Sequence, residues 1–218
     1  MRAGLRIATT AAAWGIVFVA VAQLHIVGEK SIATVLGALL WLVACAALAR
    51  ARPRAQARRY IVLTAALATG MLVASIAIFL VDNTLWPEVL AAITFLATLQ
   101  CFSAALCEIG HDLGEPALER TWVTTGRLLV VVDVVTVLLT IAWAANLVER
   151  RTHGRFRVTQ VGLGPVGNAG RACLAAFVLV LAIVGVHFLV SLWRTRVVVR
   201  EVVPSNGIDT DEEDEDDA

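Results

Sequence analysis

The chain has 218 residues, of which 59% are apolar and 17% charged, with a mean hydropathy of +0.79. Soluble domains carry about 45–50% apolar and 25% charged residues, so this composition excludes an ordinary water-soluble globule. The formal net charge of zero averages two unlike regions: eight of the eighteen acids lie between Asp209 and Asp217, so the rest of the chain sets eighteen basic residues, all arginine except Lys30, against ten acids.

In chain order, Arg2 and Arg6 precede a first apolar span over 7–27. This head also has the form of a signal peptide, a basic start and an apolar run ending in Ala20-Val21-Ala22. Because apolar character continues to Val27, a retained helix fits better than cleavage. Gly28-Glu29-Lys30 leaves room only for a tight helical hairpin into a second span, 31–49. Residues 50–59 then hold five arginines and no acid. A short basic loop of this kind belongs on the cytoplasmic side, and it is too short to be a nucleic-acid-binding fold.

The third span, 60–81, opens on Tyr60, an interfacial aromatic, and carries Ala66, Gly70 and Ala74 at every fourth position. Such a stripe lets another helix approach closely, either within the chain or from a partner or second copy. The polar turn Asp82-Asn83-Thr84 leads to a fourth span, 85–106. The sequence predicts a polar connection over 107–127, punctuated by Gly110, Gly114 and Pro116, with Pro116 placed to open a new helix. Glu108, His111, Asp112, Glu115 and Glu119 lie in it, and without a fixed helical face they read as solvated side chains rather than metal ligands.

The fifth span, 128–148, has one charge, Asp133, and about 31 Å of helix, the thickness of a bilayer's hydrocarbon core. Four arginines follow in 149–157, then Gly162-Leu163-Gly164-Pro165-Val166-Gly167. That run matches a dinucleotide-binding turn, but such a turn needs a βαβ unit and an acid about 20 residues on; here a membrane span follows and the residue at that distance is His187. The sixth span is 172–193, with Arg194, Arg196 and Arg200 behind it. The segment 201–218 is too acidic to pack and reads as a disordered tail on a bundle formed by 1–200.

The reading is therefore an all-α polytopic membrane bundle of six helices in a cell membrane. Placing both termini inside puts twelve of the cations on the cytoplasmic side and six outside. The basic loop at 149–171 lies an odd number of crossings from 50–59, so it opposes this count in either orientation. The four cysteines (Cys45, Cys101, Cys107, Cys173) lack zinc or disulfide spacing and read as packing residues. No nucleophile, metal or cofactor motif stands out. What remains is an intramembrane polar layer, Asp133, His187 and Gln100, each about 8–9 Å in from the cytoplasmic end of its predicted span. Asp133 and His187 can exchange protons and would serve a relay if paired; otherwise the layer is a clamp, or three independent placements. Three function classes follow. The first is a non-enzymatic scaffold or accessory subunit, the second a small-solute or proton-coupled transporter using the Asp/His pair, and the third, least favoured by the motifs, an intramembrane enzyme.

Overall fold

A computed structural model describes residues 2–23, 30–51, 53–80, 85–152 and 168–201; side chains are described over 3–20, 32–51, 53–77, 80, 90–136, 138 and 179–199. Its elements are α1 (Arg2–Gln23), α2 (Lys30–Arg50), α3 (Ala55–Leu80), α4 (Leu85–Asp112), α5 (Pro116–Thr152) and α6 (Asn168–Glu201). Among the described residues there is no strand. The all-α membrane bundle holds: in hydrocarbon every backbone amide must be satisfied within its own segment, and a helix does this. Five helices carry described apolar windows long enough to cross a bilayer, Ala3–Ala20, Ile32–Arg50, Ala55–Ala77, Leu90–Asp112 and Leu179–Val199. The predicted span 128–148 lies wholly within α5, but most of its side chains, like residues 153–167 and the tail from 202, fall outside the described set.

Each helix packs against its neighbours in the chain, and α6 returns to α1 to close a ring. Small residues set the tightest seam. A Cβ on Gly4 would stand 2.6 Å from the Ala47 carbonyl oxygen, and one on Gly37 would stand 3.1 Å from the Gly15 carbonyl oxygen, so α1 and α2 approach backbone to backbone. Inside the ring, Trp41 of α2 meets Phe102 of α4 edge-on at 4.9 Å, and Trp122 of α5 meets Phe188 of α6 at 5.3 Å. Both indoles are buried. Outside, large apolar side chains such as Ile7, Leu36, Val62, Ile93, Val131 and Ile183 stand exposed, as a lipid-facing surface requires.

The structure corrects the sequence reading most between the fourth and fifth spans. The predicted polar connection 107–127 is helix except for Leu113, Gly114 and Glu115. Glu115 N–H donates to the Gly110 carbonyl at 3.1 Å and Gly114 N–H to the His111 carbonyl at 3.0 Å, the double closure of a helix end. Gly114 sits at φ +69°, a left-handed position that glycine adopts without strain. Pro116 opens α5 at once, where its missing N–H is not needed. Gly110 lets the hairpin close, since a Cβ there would lie 3.1 Å from the Glu119 amide nitrogen. At the preceding turn, α2 ends with Ala51 N–H bonded to the Leu48 carbonyl, and α3 begins at Ala55, inside the basic stretch.

Candidate functional site

Among the described buried polar side chains, Thr125, Ser191 and Thr195 gather where α5 and α6 cross. On α5, Leu118, Trp122, Thr125, Leu129 and Val132 recur at three- and four-residue steps and form its buried face. On α6, Val184, Phe188, Ser191, Thr195 and Val199 do the same. The facing stripes are apolar except at their shared centre, where a Trp, two Thr and a Ser meet.

Trp122 Nε1 donates to Thr195 Oγ1 at 2.9 Å, and Thr195 Oγ1 donates to the Ser191 carbonyl at 2.8 Å. One turn away, the hydroxyls of Thr125 and Ser191 lie 3.0 Å apart, with His187 Nδ1 at 3.3 Å from the first and 3.5 Å from the second. Thr125 and Ser191 also reach backbone carbonyls of their own helices, Thr121 and His187, each at 2.8 Å. The result is a ladder of four side chains and an imidazole tying the first half of α5 to the second half of α6.

Gln100 enters from α4. Its Nε2 donates to the Gly126 carbonyl at 3.3 Å, beside Thr125, while its Oε1 is buried without a partner. A Cβ on Gly126 would lie 3.4 Å from Ser103 Oγ of α4, an ordinary contact at this crossing. Asp133 sits about two helical turns beyond Thr125 along α5. Its Oδ1 is buried with no hydrogen-bond partner, and no bond joins it to His187 among the described residues. Of the three residues singled out in the sequence, the structure thus brings His187 and Gln100 to neighbouring positions on α5, Thr125 and Gly126. Asp133 lies deeper along the helix.

Four residues of the ladder were not singled out in the sequence, namely Trp122, Thr125, Ser191 and Thr195. A signal for them was present: His187, Ser191 and Thr195 recur every four residues, the spacing of one helical face.

A second polar cluster lies at the end of the bundle where residues 51–54 and 113–115 turn. Arg54 pairs with Asp112 at 3.1 Å, Gln56 Nε2 donates to Glu108 Oε1 at 3.1 Å, and His111 Nδ1 lies 3.4 Å from Glu119 Oε2. These contacts join α3 to α4 and α4 to α5 pairwise; among the described residues no group of three or more His, Cys, Asp or Glu side chains is placed to hold a metal ion. Cys45, Cys101 and Cys107 are free thiols. The glycine-rich run 162–167 lies outside the described residues.

The small-residue stripe on α3 is divided. Ala74 is buried and a Cβ on Gly70 would lie 3.6 Å from the Thr94 methyl carbon of α4, whereas Ala66 is exposed. Compared with protein-family models, with curated proteins and with solved structures, the chain gives no match.

Proposed function

We propose that the chain is a non-enzymatic membrane scaffold or accessory subunit, resident in a cell membrane with both termini cytoplasmic. The observation that carries this reading is where the ladder's protons go. Each hydroxyl has one proton to give. Thr195 directs its proton to the Ser191 carbonyl, and Thr125 and Ser191 each have a backbone carbonyl within reach at 2.8 Å. A backbone carbonyl accepts a hydrogen bond but passes no proton onward. What then crosses between the helices is the Trp122 N–H to Thr195 and, in the Nδ1–H tautomer, His187 to Thr125, which suits a clamp better than a conducting wire. Interhelical bonds of this kind are worth about 0.6 kcal/mol each in membrane bundles, and up to about 1.7.

The orientation rests on the end where the helices turn at 51–54 and 113–115, which gathers exposed arginines on α1, α2, α3, α5 and α6. Short segments rich in arginine stay on the cytoplasmic side. Ala66 extends the α3 stripe onto the exposed surface and is the point at which a partner helix or a second copy would begin to pack.

The second reading, a proton-coupled or small-solute carrier, is favoured by one observation, the unpartnered Oδ1 of Asp133 inside the bundle. An aspartate at mid-helix costs about 2.5–3.5 kcal/mol on insertion scales, and such residues mark transport paths. The polar trio would then act together, with His187 receiving a proton from Asp133, or Gln100 offering its oxygen to a cation, when the bundle changes shape. Reconstituted vesicles separate the readings. A scaffold retains its co-purifying partner in mild detergent after Asp133→Asn and shows no proton flux above that of empty vesicles. Flux that Asp133→Asn abolishes overturns the scaffold reading.

A further inference from the structure

The described acids at the turn end of the bundle, Glu201 at the end of α6 apart, lie on one hairpin. Glu108, Asp112, Glu115 and Glu119 sit on the last turns of α4, the turn itself and the first turn of α5. Three of the four have local partners: Asp112 holds Arg54, Glu108 accepts from Gln56 and Glu119 faces His111. The other four helices present arginines at the same end: Arg6 on α1, Arg50 on α2, Arg58 and Arg59 on α3, Arg194 and Arg196 on α6. That these helix ends lie together follows from Gly4 touching Ala47, Arg54 pairing with Asp112, Gly110 touching Glu119 and Trp122 bonding Thr195. All six arginines are exposed, and among the described residues none has an ion pair. The end face is thus uneven: α4–α5 sets four acids beside the exposed Arg120, whereas the arc α6–α1–α2–α3 is predominantly cationic.

We propose that the acidic segment Asp209–Asp217 of this chain docks on that arc, an intramolecular cover over the unpaired arginines. Three observations converge on it. The segment leaves the bundle from the end of α6, next to Arg194 and Arg196 and therefore at the margin of the arc. Its eight acids complement the six arginines, and carboxylates pair with guanidinium groups through short charge-assisted bonds. The α4–α5 hairpin, whose four acids outnumber the exposed Arg120, is the less favourable side and so leaves the segment directed toward α1. Reach is ample. Packed helices lie about 8–10 Å apart, and the sixteen residues from Glu201 to Asp217 extend at most about 53–58 Å. Tethering places the acids at an effective concentration on the order of millimolar, so weak individual pairs suffice.

The cover is electrostatic and therefore competitive. Salt shortens the range of these pairs from about 8 Å at physiological ionic strength to about 3 Å at 1 M, and an anionic bilayer surface offers the arginines a rival.

The test uses the full chain, with native cysteines replaced by alanine and spin labels at Ala3→Cys on α1 and Ala218→Cys, in nanodiscs of neutral phosphatidylcholine. The expected result is a short, narrow label separation. It lengthens by about 10 Å or more when salt is raised to about 1 M, where charges are screened beyond about 3 Å. It lengthens equally in a tail variant with its eight acids changed to the corresponding amides, which leaves the bundle untouched. An Arg6→Gln, Arg194→Gln, Arg196→Gln variant repeats the effect from the other side. A separation identical in the native and the amide tail overturns the proposal. So does the finding that the arginine variant sheds co-purifying anionic lipid while neither variant moves the label, since the arc is then a headgroup site.

Discussion

Trp122 and Thr195 hold α5 and α6 together by a single bond, the indole N–H of one donated to the hydroxyl of the other at 2.9 Å. Both residues are buried, and Thr195 has already committed its own proton to the Ser191 carbonyl, so its oxygen is free only to accept. That asymmetry makes a sharp prediction. Thr195→Val keeps the shape, removes the acceptor and leaves a buried indole N–H unsatisfied, which costs about 1–3 kcal/mol. Thr195→Ser keeps the acceptor and loses only a methyl group. In unfolding titrations of the protein in mixed micelles, the valine variant falls well below the serine variant. Equal stability of the two would mean that the bond contributes nothing.

Gly4 and Gly70 look alike in the sequence, each a glycine in an apolar helix, but they meet different surroundings. A methyl group on Gly4 would stand 2.6 Å from a backbone oxygen of α2, which cannot swing aside, so Gly4→Ala forces α1 away from α2. Overpacking of this kind costs about 1–3 kcal/mol. At Gly70 the nearest atom is the Thr94 methyl carbon at 3.6 Å, an ordinary contact, and alanine gains up to about 1 kcal/mol in helix propensity. Thermal unfolding in detergent should therefore show a loss for Gly4→Ala and no loss, or a gain, for Gly70→Ala. A loss at Gly70 would place a second helix or a partner on the stripe.

How far the sequence was legible follows from the same contrasts. The helices were readable because a run of about 20 apolar residues has few other solutions, and every predicted span that the structure describes falls on a helix. The connection at 107–127 was misread because composition was weighed there without tertiary contacts. Glu108 and Asp112 remain helical with Gln56 and Arg54 to bind, and Gly110 lets α5 start beside α4 after only three residues. That shift also moved the depth scale. Asp133 was measured from Leu128, but α5 begins about three turns earlier, at Pro116, so Asp133 is farther from the turn end than His187 and Gln100. The hydroxyl ladder was missed for another reason. Threonine and serine barely lower hydropathy, and their importance appears only once Thr125 is set opposite Ser191 by the crossing of two helices.

Asp133 carries a prediction of opposite sign to most interior substitutions. Its Oδ1 is buried and unpartnered, so the carboxylate is a burden on the folded bundle. Asp133→Asn removes a group whose insertion at a helix centre costs about 2.5–3.5 kcal/mol and replaces it with a neutral amide of the same shape. The variant should unfold at higher denaturant than the native chain, by on the order of 1 kcal/mol. A lower stability would show that the carboxylate has a favourable partner, and the scaffold reading would lose its simplest account of this residue.

The ring itself fixes the last expectation. α5 runs unbroken from Pro116 to Thr152, so the turn at 113–115 and the connection that follows α5 stand at opposite ends of the bundle. Arg54 is on the first of these ends, through its pair with Asp112. A thiol introduced as Arg54→Cys and one introduced as Arg155→Cys, just past the end of α5, should therefore react with an impermeant maleimide from opposite sides of sealed vesicles. The cytoplasmic assignment requires the first to be protected in right-side-out vesicles and the second to be labelled. Reaction of both from one side would mean that α5 does not cross. The basic loop at 149–171 would then share a compartment with residues 50–59, as its arginines favour. Either pattern is read in one experiment, because the two positions differ only in the compartment they report.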